Sequence, residues 1–147
     1  MNNARKNLKL YSFVVLAVAV FNFIGVLSYV LFGDLNNAAI PADAPENILL
    51  ITKIVLLSLI ALFMIPDLYV GIKGLRIAKK PDSSASAHIV WAFILMGVVI
   101  VSMINTIVSI VTQGFTKDNV GTVLILLVDA AVYFDYIKYA RAVKAGK

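Results

Sequence analysis

The sequence has no cysteine and a single histidine, His88, and only 14% of its 147 residues are charged. Without cysteine there is no disulfide framework, thiol redox centre or thiolate-held zinc or iron–sulfur site. One histidine cannot provide paired axial haem ligands, and no acids are spaced around it as further metal ligands, so neither metal nor cofactor is expected. H-E-x-x-H, G-x-S-x-G and glycine-rich phosphate loops are also missing, which weighs against an enzyme. No G-x-x-x-G spacing marks a helix dimerisation face. The scarcity of charge excludes a water-soluble globule. Soluble domains carry about 25% charged and about 45–50% apolar residues, whereas this chain is 61% hydrophobic with a mean hydropathy of +0.94.

What it has instead is long apolar runs. Crossing a hydrocarbon core takes about 20 apolar residues in a helix, and four such stretches occur, near 10–32, 48–72, 89–111 and 120–139. Between them, Pro41, Pro45, the Lys-Lys-Pro-Asp-Ser-Ser run from Lys79 and the polar segment 114–119 mark turns. Ser83, Ser84 or Ser86 is placed to cap the third helix, and Asp118 or Asn119 the fourth. The apolar core at 10–32 is longer than a signal-peptide core, so it is expected to stay as an anchor despite the Ala42-Asp43-Ala44 pattern. The expected fold is all-α: one integral membrane four-helix bundle over 1–147, antiparallel, up-down-up-down.

The net charge of +5 suggests nucleic acid until the bases are placed. Eleven of the thirteen Lys and Arg precede the first span, follow the second, or lie at or beyond the end of the fourth. Basic residues collect on the cytoplasmic side, so both termini are expected there, in a multi-pass protein of the cell (inner or plasma) membrane. The charge is then a topology signal and no nucleic-acid partner is expected. The expected partners are the bilayer itself, anionic lipid headgroups at the basic rim, and a membrane-protein partner or a second copy.

Polar residues within the spans are the informative ones, since an ionisable group at mid-bilayer costs about 2.5–3.5 kcal/mol on insertion scales. On a helical wheel, Ser12, Val15, Ala19 and Asn22 share a face, as do Asp129, Tyr133, Tyr136 and Ala140, and as do His88, Trp91, Ser102 and Asn105. At about 1.5 Å per residue from Tyr11, Val90 and Tyr139, residues Asn22, Ser102 and Asp129 fall roughly 15–18 Å deep. Together with Asn105 they form a candidate midplane polar site. Asp67 and Asp135 lie nearer the basic side, each followed by bases at +6, +9 and +12, and with Lys73 and Lys138 they are candidates for a gate or an anchor. Pro66, followed by Gly71 and Gly74, should make 65–74 the least regular span, as a hinge or a frayed helix end. His88 is expected to be a solvated residue opening the third helix.

Two functional expectations follow. One is a non-enzymatic accessory or scaffold subunit of a membrane complex, in which the midplane residues are packing glue. The alternative is a small proton- or cation-coupled transporter or channel using Asp129.

Overall fold

A computed structural model describes residues 3–32, 46–80, 86–114 and 117–146. It is all-helical, with α1 (Asn3–Phe32), α2 (Glu46–Lys79), α3 (Ala87–Gln113) and α4 (Lys117–Lys144), and there is no strand among the described residues. All four helices are long and apolar enough to cross a membrane. A helix satisfies every interior backbone donor and acceptor within its own segment, which is what hydrocarbon demands.

The helices outrun the apolar stretches at their base-rich ends. α1 begins at Asn3 rather than near Leu10, α2 continues to Lys79 rather than ending near Ile72, and α4 reaches Lys144 rather than Tyr139. Apolarity marks the length that can face lipid, whereas Lys, Arg, Ala and Leu are all strong helix formers on either side of that boundary. α2 is likewise unbroken through Gly71 and Gly74, so no frayed end occurs there. Pro66 is held inside it, lacking only the N–H that would reach back to the Leu62 carbonyl.

The expected caps differ as well. Ser86 stands before α3 but caps it through its carbonyl, which accepts from the N–H of Ile89 at 2.9 Å and of Val90 at 3.2 Å, with no side-chain cap. Ser83 and Ser84 lie outside the described residues. α4 starts at Lys117, so Asp118 and Asn119 belong to its first turn rather than preceding it. α3 stops at Gly114, whose φ of +89° suits a residue without Cβ and whose N–H donates to the Ile110 carbonyl at 3.0 Å.

The chain divides into two compact units, residues 1–16 with 66–147, and residues 17–65. In the first, the core is built from Leu8 and Val15 of α1, Val70 and Ile77 of α2, Ile89 and Ala92 of α3, and Tyr133, Tyr136 and Ile137 of α4. α3 and α4 pack against each other. Beyond Ala92, α3 buries no further side chain among the described residues, and Ile94, Val98, Val101, Ile104 and Val108 are exposed. In the second unit Ala19 and Val30 are buried, while Phe21, Ile24, Ile51, Ile54 and Leu62 are exposed. Such surfaces are costly in water and neutral against lipid tails, which are as apolar as leucine.

Candidate functional site

The polar side chains that meet do so in the first unit, towards its base-rich end. Of the four midplane candidates, Asp129 is buried and Ser102 half-buried, while Asn105 is exposed. Asn22 is exposed too and belongs to the other unit. The face expected on α3 therefore holds at His88, which is buried, and in part at Ser102, and fails at Trp91 and Asn105, which are exposed. Helical spacing puts residues on a common face, but which part of that face is covered depends on where a neighbouring helix lies against it. Ser102 and Thr106 close a local bond, in which the Thr106 hydroxyl donates to the Ser102 carbonyl at 2.9 Å. This is the usual way for a helix in an apolar setting to satisfy a threonine within itself.

Asp129 has different company. The next turn of α4 carries Tyr133, whose hydroxyl donates to the carboxyl of Asp67 on α2. Asp67 is within electrostatic reach of Asp129, and Tyr133 is within reach of both acids. One carboxyl, that of Asp67, is thus bonded to the phenol, and a second, that of Asp129, stands one turn before it on α4. Asp129 is 8% exposed.

The second acid of the basic side, Asp135, also accepts from a tyrosine. The Tyr11 hydroxyl of α1 donates to it at 2.7 Å, and the Tyr11 ring stacks on Tyr139 with centroids 5.6 Å apart. The expected partners Lys73 and Lys138 do not take these carboxyls. Lys73 follows Asp67 by six residues and so points from a different face of α2, and Lys138 places its ammonium 5.4 Å from the centre of the Tyr139 ring. A hydroxyl brings no charge of its own into the apolar interior, whereas a lysine would have to be desolvated along with the acid.

Between these two contacts the helices come close together. Tyr136 is fully buried and donates to the Val70 carbonyl at 2.9 Å. A Cβ on Gly74 would stand 2.7 Å from the Tyr136 ring and overlap the Ser12 hydroxyl, and one on Gly71 would stand 2.5 Å from Cγ of Leu16. Gly71 and Gly74 are therefore where α1 and α4 reach the α2 backbone. Ser12 has turned inward to donate to the Leu8 carbonyl at 2.6 Å. At the rim, Arg5 donates from Nε to the Ala78 carbonyl at 3.0 Å and from Nη2 to the Lys79 carbonyl at 2.5 Å, satisfying acceptors at the end of α2.

His88 departs from expectation. It is 2% exposed, lies edge-on to Tyr136 with ring centroids 6.1 Å apart, and its Nε2 has no hydrogen-bond partner. α4 brings Tyr136 against the start of α3 and covers the imidazole, which position in the sequence alone suggested would be solvated.

Sequence reasoning placed Tyr133 and Tyr136 on the Asp129 face but gave them no part. The i, i+4 spacing of Asp129 and Tyr133 was the available signal that these two are neighbours on α4, and nothing local connects Tyr133 with Asp67, 66 residues apart. Nothing local connects Tyr11 with Asp135, 124 residues apart. Among the described residues no group of three or more His, Cys, Asp or Glu could hold a metal. No family model, curated protein or solved structure matches the chain.

Proposed function

We propose that this is a small proton- or cation-coupled membrane transporter or channel, with its ionisable site at Asp129 and Asp67. The observation that carries this reading is the Tyr133 hydroxyl bonded to Asp67 with a second, buried acid, Asp129, within electrostatic reach of both. An intramembrane carboxyl is expensive, and two within reach of each other call for a purpose. The helices run antiparallel in a cell membrane. The start of α1, the end of α2 and the end of α4 face the cytoplasm, because nearly all the Lys and Arg lie there.

Purified protein in lipid vesicles under a pH gradient, with a trapped pH-sensitive dye, tests the reading. Wild-type protein should dissipate the gradient, alone or together with a transported cation, and Asp129→Asn should slow this by at least about tenfold. Absence of wild-type flux across a panel of monovalent cations overturns the proposal.

A second reading is an accessory or scaffold subunit, favoured by a different observation. Tyr11 on Asp135 and Arg5 on the end of α2 are ties between helices that need no passing ion. Native-membrane purification giving a stoichiometric partner, with no flux in vesicles, would favour it.

A further inference from the structure

We infer that Asp129, Tyr133 and Asp67 form a proton relay in which the Tyr133 hydroxyl passes protons between the two carboxyls. The inference deepens the transport reading and names the proton as its ion.

The chemistry follows from how many protons each group has to give. A tyrosine hydroxyl has one proton to donate and lone pairs with which to accept. That of Tyr133 is committed to Asp67, so towards Asp129 the phenol oxygen can only accept. A protonated Asp129 can supply that donor from one helical turn away on the same helix. The resulting chain runs from Asp129 to Tyr133 to Asp67, with every donor pointing the same way.

Transfer along it balances. The Asp129 O–H bond breaks as its proton joins the phenol oxygen, while the original phenol O–H bond breaks as its proton joins the Asp67 carboxylate. One proton has moved from α4 to α2, one negative charge has moved from Asp67 to Asp129, and Tyr133 ends neutral as it began. Reorientation of its hydroxyl resets the chain for the next proton.

Two observations favour a proton over a metal cation. The phenol proton already lies between the Tyr133 oxygen and Asp67, where a cation would have to sit. A hard cation also collects about six or more oxygen ligands, and this cluster provides two carboxyls and a phenol. The titratable groups within electrostatic reach of Asp129 among the described residues are Asp67 of α2 and Tyr133 of its own helix. Lys73 of α2 and Lys144 of α4 both act on His88 of α3.

Infrared difference spectroscopy of the protein in bilayers, on switching from light to heavy water, measures how fast each carboxyl exchanges its proton. Asp129→Asn and Asp67→Asn assign the two bands. Exchange at Asp129 in wild-type protein should be accompanied by a change in a tyrosine ring mode. In Tyr133→Phe, which keeps the ring and removes the hydroxyl, exchange at Asp129 should slow by at least about tenfold. Exchange at an unchanged rate would show that water reaches Asp129 directly and would overturn the relay. Should Tyr133→Phe not fold, Asp67→Asn serves instead: its amide oxygen still accepts from Tyr133 but its carboxyl no longer takes a proton, so exchange at Asp129 should slow again, and an unchanged rate again overturns the relay. The two proposals fail separately. Vesicle flux that survives in Tyr133→Phe together with unchanged exchange removes the relay and leaves transport standing. Coupled exchange in a wild-type protein without flux supports the relay and removes transport.

Discussion

Tyr133 and Tyr11 use the same device at two places, an uncharged donor from one helix offered to an acid on another. Hydrogen bonds between membrane helices are worth about 0.6 kcal/mol on average and up to about 1.7 kcal/mol. Tyr11→Phe should therefore lower stability by about 0.5–1.5 kcal/mol, measured by unfolding in mixed micelles, and leave proton flux intact. Tyr133→Phe should cost a similar amount of stability but also lose flux. Equal flux from the two variants would remove the distinction drawn between the Asp135 and Asp67 contacts. Asp129 was legible as a residue of interest in the bare sequence because a carboxyl in an apolar run must have a partner or a purpose. Its neighbours were not legible. Asn22 and Ser102 match it in depth, but depth is one coordinate out of three, and Asp67 is brought near by the direction in which α2 faces α4.

At the level of the helix, Gly71 and Gly74 separate what sequence pattern conveys from what packing decides. Following a proline, they look like the end of a helix. In the structure they are gaps in the surface of α2 that admit Leu16, Ser12 and Tyr136. Gly74→Val should destabilise the protein by roughly 1–3 kcal/mol or more through overpacking, because Tyr136 is fully buried and held to the Val70 carbonyl. Gly97 makes the control, with nothing within 4 Å of where its Cβ would stand. Gly97→Ala should be neutral or stabilising by up to about 1 kcal/mol, as expected when a glycine inside a helix gains a methyl. Thermal unfolding of both variants in the same detergent checks the pair, and similar shifts for the two would contradict the close approach at Gly74. The helices themselves were legible to within a few residues at their apolar boundaries. Their extensions to Asn3, Lys79 and Lys144 were not, because hydropathy follows the lipid while helix propensity continues beyond it.

For the whole molecule the first question is which way it lies in the membrane, and the absence of cysteine makes the test direct. Single cysteines placed at exposed Lys6, Lys80 and Lys144 should react with a membrane-impermeant thiol reagent only after the cells are opened, and one at exposed Asn47 should react in intact cells. The reverse pattern would overturn the orientation derived from the bases. By itself, the amino-acid sequence determined that the chain is helical, that four of its segments can cross a membrane, and that its bases gather at the start of the first and the ends of the second and fourth. These are additive properties of composition along the chain, and no neighbour is needed to establish them. Tertiary structure alone decided that Tyr133 donates to Asp67 within electrostatic reach of Asp129, that Asp135 belongs to Tyr11, and that His88 is covered rather than solvated. Each of these depends on the rotation of one helix about its axis relative to another. A face rich in small and polar residues narrows that rotation, but only the packed contacts at Gly71, Gly74 and Tyr136 select one value of it.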